Sequence, residues 1–180
     1  MLGRDGRMKM GKRKFLQLPV VSLAAEYLAI GHLLRRNILT YKAPPKNEGY
    51  DLICMHPDPR QAHKQVRIQV KSRYQTDCNR IALVKTESLG AFEYLIVVFL
   101  NIGYFYSKRP VEEGRLQAEF YTFPEAWVRE HHRSGSGWDK LDTKHLDLSP
   151  FKDERGFDLI AKALEIPYPK RENAPTTGST

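Results

Sequence analysis

The chain has 180 residues, a formal net charge of +8 and a pI near 9.5, and this length is sufficient for one domain with a sizeable core. Two cysteines without metal-ligand spacing exclude a disulfide-rich secreted scaffold and favour a cytoplasmic protein. No apolar run is long enough to cross a bilayer, so we expect no membrane association. We predict a basic flexible arm at 1–15, a single domain at 16–166 and a disordered tail at 167–180.

The positive charge is concentrated in the N-terminal half of the chain. Counting Lys and Arg against Asp and Glu, residues 1–85 have a net charge of +11, whereas residues 86–180 have a net charge of −3. This asymmetry is expected of a protein that binds the phosphate backbone of DNA, although a solvated basic face would give the same count. The candidate nucleic-acid-binding residues are Arg67, Arg73, Tyr74 and Arg80, with Lys12, Arg13 and Lys14 in the arm.

The first predicted element is a helix that begins at Pro19 or Ser22 and ends near Arg36. Apolar residues at spacings of three and four predict the face that packs on the core, namely Leu23, Tyr27, Ile30 and Leu34. Glu26 lies at the edge of this face, so its carboxylate can point toward the sheet that the helix covers. A solvated helical glutamate is the alternative interpretation.

Two strands are predicted next, at 50–54 and 65–73. In the second strand apolar and polar residues alternate, so Gln69 and Lys71 emerge on the same side. In the first strand Asp51 is the only charge in an apolar run, and a buried carboxylate is costly unless it is paired or bound to a metal. The short connection with two prolines favours an antiparallel pair, in which Asp51 faces Gln69 and Lys71.

Downstream of these strands, the pattern predicts a mixed succession of strands and helices. The predicted elements are strands at 80–85, 94–100, 102–108 and 119–123, a helical turn at 87–92, helices at 124–132 and 155–166, and a loop at 133–142. The uninterrupted apolar run at 94–100 is typical of a buried central strand, and 119–123 is predicted at an edge.

Glu26 on the helix, Asp51 in "GYD" and Gln69, Val70 and Lys71 in "QVK" follow the order of a known nuclease motif. The stretch from about 20 to 72 resembles the PD-(D/E)XK, or restriction-endonuclease-like, nuclease superfamily. The resemblance implies an α/β fold in which helices flank a mixed central β-sheet, with the core order α-β-β-β-α-β. The "gyDl…iQVKs" pattern is similar to that of prokaryotic members.

The resemblance implies a DNA endonuclease that hydrolyses phosphodiester bonds with Mg²⁺ or Mn²⁺. Asp51 is implied as the principal metal ligand, together with the side-chain oxygen of Gln69 and the carbonyl of Val70. Lys71 is implied to orient the attacking water and to stabilise charge on the phosphorus, and Glu26 to hold a water or a second ion. Members differ in whether two protomers cut together, so the resemblance allows a homodimer.

Three other interpretations stay open. Gln69 replaces the acid that is common in the superfamily and is a weaker ligand for a hard cation, which permits an inactive nucleic-acid-binding protein on the same fold. Tyr50 also stands where the motif has Pro. In an unrelated mixed fold, Asp51 and Lys71 would form a cross-strand ion pair. A protein-interaction module would instead use aromatic side chains of the C-terminal half, such as Tyr104, Tyr106, Tyr121 and Trp127.

Overall fold

The computed structural model describes residues 20–45, 47–74, 80–102, 116–135 and 139–167. Its helices and strands, in chain order, are α1 Val21–Leu34, β1 Leu39–Lys42, β2 Leu52–Met55, β3 Gln65–Arg73, β4 Ile81–Leu83, β5 Tyr94–Phe99, β6 Glu119–Pro124, α2 Glu125–His131, β7 His132–Arg133, β8 Lys140–Asp142 and α3 Asp153–Ala163. The basic arm, with Lys12, Arg13 and Lys14, lies outside the described residues. The tail beyond residue 167 and nearly all of the strand predicted at 102–108 also lie outside them.

Five strands form the central sheet in the order β1-β2-β3-β5-β6. β1, β2 and β3 are antiparallel neighbours, β5 runs parallel to β3, and β6 pairs antiparallel with β5. The sheet is therefore mixed, and the proline-containing connection between β2 and β3 closes the antiparallel pair that the sequence predicts. β5 is internal and buried, as its apolar run predicts, and β6 lies at the edge.

Helices cover both faces of this sheet. On one face, α1 and α3 contact the strands and enclose a core that includes Val66, Ile68, Val70, Phe157 and Ile160. On the opposite face, α2 and a three-stranded sheet, in the order β4-β8-β7, cover a second apolar cluster. The predicted α/β class, with a mixed sheet flanked by helices, is confirmed.

The face of α1 that packs on the sheet differs from the predicted one. Its buried residues are Ala25, Ala29 and Leu33, whereas Tyr27 and Leu34 of the predicted stripe are 57% and 47% exposed. The prediction was wrong because it assigned the large apolar side chains to the core, while small alanine side chains allow the helix to approach the sheet closely. Since α1 carries apolar residues on several sides, their spacing does not identify the buried face.

Three smaller elements also differ from expectation. Residues 140–142, predicted within a loop, form β8, which pairs with both β4 and β7. β1 was not predicted. Between β3 and β5 the described residues form β4 and a 3-10 turn at Thr86–Ser88, in agreement with the strand and the helical turn predicted there, but not the helix that the core order implies. β1 and β8, with four and three residues, show no periodicity in the sequence from which they could have been predicted. No helix within the described ranges is long and apolar enough to cross a membrane.

Candidate active site

The ladder between β2 and β3 ends beside Asp51. The last paired residues are Leu52 and Ile68, and the Asp51 N–H donates a hydrogen bond to the Ile68 carbonyl at 2.8 Å. Beyond this point, Asp51 Oδ2 accepts a hydrogen bond from the Val70 N–H at 2.6 Å. A side-chain carboxylate thus occupies the position where a backbone carbonyl would continue the ladder, so the backbone pairing stops there.

The turn that precedes Asp51 requires a glycine. Gly49 has a φ of +92°, and an added Cβ would lie 2.3 Å from the Cβ of Ala91. The Asn47 side-chain amide donates a hydrogen bond to the Tyr50 carbonyl at 2.9 Å within the same turn. These contacts fix the course of the chain immediately before the Asp51 carboxylate.

Gln69 and Lys71 leave β3 on the face opposite to α1. Alternate residues of a strand point to opposite faces, and Ile68 and Val70 belong to the core beneath α1. Gln69 is 5% exposed, and its Oε1 atom is buried without a hydrogen-bond partner among the described residues. Because a buried polar atom without a partner costs on the order of 1–3 kcal/mol, a bound cation is a suitable partner for this oxygen.

Burial perturbs Asp51 and Lys71 in opposite directions. It raises the pKa of the Asp51 carboxyl above its ordinary value, while the hydrogen bond from Val70 and the nearby Lys71 ammonium oppose this shift. Burial lowers the pKa of Lys71, the attraction of Asp51 opposes that shift, and repulsion from Arg73 and Lys85 reinforces it. A partly buried acid and amine within electrostatic reach of each other are common at catalytic sites.

The structure gives Glu26 a direct partner on the first strand. Lys42 Nζ lies 2.7 Å from Glu26 Oε2, and the Glu26 side chain is 18% exposed. The hydrogen bond to Glu26 raises the pKa of Lys42. Both groups lie close enough to Asp51 to change its pKa, Glu26 by repulsion and Lys42 by attraction. Glu26 therefore lies within electrostatic reach of Asp51 and is engaged in an ion pair with Lys42.

The donors at the end of the ladder suit a hard divalent cation. Asp51 offers a carboxylate, and Gln69 offers an amide oxygen that has no partner in the part of the chain that the structure describes. The Val70 carbonyl leaves β3 on the same edge as the Val70 N–H, so it faces the same region as Asp51 Oδ2. Within the described part of the chain, no group of three or more His, Cys, Asp or Glu side chains could hold a metal ion. A metal site here would therefore combine few charged ligands with neutral oxygens and water.

Arg67, a predicted DNA-binding residue, forms an ion pair with Glu93. Its guanidinium lies 2.5 Å from the carboxylate of Glu93, and it lies over the ring of Tyr50 at 5.8 Å. The backbone N–H of Arg67 also donates a hydrogen bond to Glu93 at 2.5 Å. Binding of a phosphate by this guanidinium would have to compete with an intramolecular carboxylate.

The other predicted DNA-binding residues of the domain lie beyond the end of the ladder. Arg73 shares a face of β3 with Lys71, and its Nε atom is buried with no hydrogen-bond partner in the described ranges. Tyr74 and Arg80 are half-buried and lie on either side of 75–79, a segment outside the described residues. The backbone carbonyl of Tyr74 accepts a hydrogen bond from the Ile102 N–H, and that of Arg80 accepts one from the Thr143 N–H.

Two lysines near Asp51 and Lys71 were not predicted. Lys42 at the end of β1 pairs with Glu26, and Lys85 after β4 lies close enough to Lys71 to affect its pKa. The only signal in the sequence was the overall excess of basic residues before position 86, which does not indicate individual positions.

Of the four aromatic residues named for a protein-interaction module, the two that the structure describes pack within the domain. Tyr121 is 5% exposed, and the Trp127 ring stacks on Phe123 with 4.5 Å between ring centroids. Tyr104 and Tyr106 lie outside the described residues. Tyr121 and Trp127 therefore act as packing residues on the face that α2 covers.

A comparison with models of known families found no match, and a comparison with curated proteins also found none. Among solved structures, the chain is similar to a bacterial homing endonuclease, I-Ssp6803I, with a TM-score of 0.49 and 15% sequence identity. The similarity covers 81% of this chain and 92% of that one. A similarity of this size does not identify a family or a function.

Proposed function

We propose that this chain is a metal-dependent DNA endonuclease that hydrolyses phosphodiester bonds and belongs to the PD-(D/E)XK superfamily. One observation carries the proposal. Where the β2–β3 ladder ends, the Asp51 carboxylate contacts β3 between two residues with suitable chemistry. These are Gln69, whose amide oxygen has no hydrogen-bond partner among the described residues, and Lys71, whose side chain is half-buried.

Three groups of the chain would hold Mg²⁺ or Mn²⁺, namely the carboxylate of Asp51, the amide oxygen of Gln69 and the carbonyl of Val70. When bound, the ion supplies charge that polarises a phosphate oxygen and makes a water molecule more acidic. Burial raises the pKa of Asp51, and the positive charge of a bound ion would lower that pKa. A contribution from Glu26 requires its ion pair with Lys42 to open.

Lys71 would act on the phosphate and the attacking water. Its ammonium is partly withdrawn from solvent, so its attraction to a phosphate oxygen is stronger than that of a fully solvated lysine. It can donate hydrogen bonds to the water and to a non-bridging oxygen, and thereby stabilise the charge that develops on the pentacovalent phosphorus.

DNA as the substrate is supported by the charge of the half of the chain that carries these residues. Residues 1–85 have a net charge of +11, which favours a polyanionic partner through release of counterions. The type of DNA that is cut and any sequence preference can be assayed directly. A plasmid substrate also distinguishes nicking by one protomer from double-strand cleavage by two.

The proposal is tested by incubating the purified full chain with supercoiled plasmid, duplex oligonucleotide and a four-way junction in Mg²⁺, in Mn²⁺ and in EDTA. We expect cleavage of at least one substrate with either ion and none in EDTA. Asp51→Asn and Lys71→Met should each lower the rate by at least about 10²-fold, while affinity for DNA in EDTA changes little.

Asp58→Asn is the matched control for Asp51→Asn. Asp58 lies at the other end of the same hairpin, and asparagine can keep the hydrogen bond that Asp58 accepts from the Arg60 N–H at 3.0 Å. This variant should cleave like the wild type. Turnover retained by both purified site variants would refute the assignment.

A DNA-binding protein without catalytic activity is the second candidate. Gln69 in place of an acid favours it, as does the lack, within the described ranges, of a group of three or more His, Cys, Asp or Glu side chains that could hold a metal ion. This candidate predicts salt-dependent DNA binding, no turnover, and no effect of divalent ions on thermal stability.

A further inference from the structure

Three cationic residues of β3 lie on the face opposite to α1, namely Arg67, Lys71 and Arg73. They differ in how their charges are neutralised. At the N-terminal end of the strand, the Arg67 guanidinium lies 2.5 Å from Glu93, and the Arg67 backbone N–H donates to the same carboxylate. The charge of Arg67 is therefore satisfied within the protein. This end of the strand offers little free positive charge to a ligand.

The C-terminal end of the strand is different. Arg73 lies two residues from Lys71 on the same face, and burial lowers the pKa of its guanidinium, with no carboxylate among the described residues to oppose this shift. Its Nε atom is buried and has no hydrogen-bond partner among the described residues. Within the described ranges, Lys71 is attracted by the Asp51 carboxylate and repelled by Arg73.

Lys85 adds a third cation to this end. It follows β4, which contacts β3, and it lies close enough to Lys71 to lower the pKa of that ammonium. The Lys85 side chain is 76% exposed, and its neighbour Glu87, at 3.5 Å, is 71% exposed. Because an exposed ion pair contributes roughly 0–1 kcal/mol, the Lys85 ammonium can exchange Glu87 for another anion at little cost.

We infer that Arg73 and Lys85 form a phosphate-binding subsite beside Lys71, which holds a DNA phosphate next to the phosphodiester that is cut. Cations held close together repel one another, and a divalent ion at Asp51 would add further positive charge. A DNA backbone supplies the compensating negative charge, and an arginine can bind a phosphate through two parallel hydrogen bonds.

The inference rests on the proposed function only for the position of the cut bond, because the subsite would bind DNA with or without cleavage. The test measures binding of a labelled duplex by fluorescence anisotropy in EDTA, from about 50 to about 200 mM salt. The variants are Arg73→Gln, Lys85→Gln and the double variant. The matched control is Lys162→Gln, because Lys162 is an exposed cation on α3, on the opposite face of the sheet.

The double variant should bind DNA on the order of tenfold more weakly at low salt, and the slope of log K against log salt should decrease by about 1–2. Lys162→Gln should leave both quantities unchanged. If the wild-type chain cleaves DNA, the double variant should have a higher KM than the wild type. Its kcat should change by less than about threefold, because the phosphate bound by the subsite does not react.

The outcomes separate the two proposals. Unchanged affinity and slope in the double variant overturn the subsite, even where metal-dependent cleavage is intact. A reduced slope in a chain that never cleaves supports the subsite and rejects the endonuclease. A wild type that does not bind DNA at all overturns both.

Arg73 is half-buried, so thermal unfolding must show that Arg73→Gln is folded. If Arg73→Gln is not folded, Lys85→Gln alone tests the subsite, because the Lys85 side chain is exposed and its replacement should not affect folding. That variant should lower the slope by about 0.5–1, and an unchanged slope overturns the inference. Arg73→Lys keeps the charge but cannot form the two parallel hydrogen bonds, so it should retain the slope and lose part of the affinity.

Discussion

The Val70 N–H donates a hydrogen bond to the Asp51 side chain at 2.6 Å instead of to a backbone carbonyl of the neighbouring strand. This contact holds the carboxylate against β3 between Gln69 and Lys71, the residues on either side of Val70 in the chain. Asp51 itself lies just before β2 and not within the strand predicted at 50–54, but its hydrogen bond to a strand positions the carboxylate more precisely than a loop alone would. The geometry of the site is therefore a consequence of where the β2–β3 pairing stops.

Divalent ions should stabilise the folded chain. Burial raises the pKa of Asp51, so the ionised carboxylate is less favourable in the folded chain than in the unfolded chain, and a bound cation relieves this cost. At an ion concentration roughly 100 times the Kd, the free energy of unfolding should rise by about 2.7 kcal/mol. The melting temperature, measured by scanning calorimetry in EDTA and in increasing Mg²⁺ or Mn²⁺, checks this expectation.

Asp51→Asn serves as the comparison for that titration. The asparagine oxygen can still accept the Val70 hydrogen bond, but the unfavourable charge is gone, so the variant should melt at a higher temperature than the wild type in EDTA. It should also lose the response to divalent ions. An equal response in both proteins would mean that the ion binds elsewhere.

Gln69→Glu should strengthen metal binding and lower the stability of the metal-free protein. A carboxylate is a better ligand for a hard cation than an amide, so the ion concentration for half-maximal cleavage should fall on the order of tenfold. Without metal, the position is 5% exposed, and a buried charge close to Asp51 should cost at least about 1 kcal/mol of unfolding free energy. Denaturation in EDTA and in Mg²⁺ measures both effects.

Gln69→Leu gives the opposite pattern at the same position. It removes the buried oxygen that has no partner among the described residues, so stability in EDTA should not decrease. Metal-dependent cleavage should be lost. A Leu variant with normal ion dependence would show that the Gln69 oxygen is not a ligand.

The strands that carry the site could be predicted because their sequences carry a long or distinctive pattern. Gln65–Arg73 alternates over nine residues, which fixes the shared face of Gln69 and Lys71, and Asp51 interrupts an apolar run where a charge is costly. Lys42 and Lys85 could not be predicted. Lys42 ends the four-residue strand β1, and Lys85 lies two residues after β4. Only packing of these strands against α1 and β3 brings the two lysines near the site.

The orientation of α1 can be tested with two adjacent leucines. Leu33 is fully buried and Leu34 is 47% exposed, although the apolar spacing assigns Leu34 to the core. Leu33→Ala should therefore cost about 2–5 kcal/mol, and Leu34→Ala less than about 1 kcal/mol. Urea denaturation of the two variants measures these costs, and a larger effect at Leu34 would show that the helix is rotated from the orientation described above.

His32 should make the stability of the fold depend on pH. Its ring lies parallel to that of Phe157, with 5.5 Å between centroids, and lies 4.4 Å from the ring of Phe120. Its Nδ1 atom is buried without a hydrogen-bond partner in the described ranges. A protonated imidazole in these surroundings would lose much of its hydration.

The sign of the effect follows from the groups around the ring. Burial lowers the pKa of His32 below 6.5, and repulsion from Arg36 and Arg35 lowers it further, against attraction from Glu154 and Asp153. The unfolded chain therefore takes up a proton at a higher pH than the folded chain. This contribution to stability is complete above pH 6.5 and is lost as the pH falls toward the lowered pKa of the folded state.

His32→Phe keeps an aromatic ring between its neighbours and removes the titration. Its free energy of unfolding should therefore fall less than that of the wild type between about pH 7.5 and about pH 5.5. Urea denaturation at several pH values measures the difference, and His145→Gln, at an exposed position, should keep the wild-type dependence. Equal pH dependence in His32→Phe and the wild type would mean that the ring accepts a proton as readily in the folded chain as in the unfolded one.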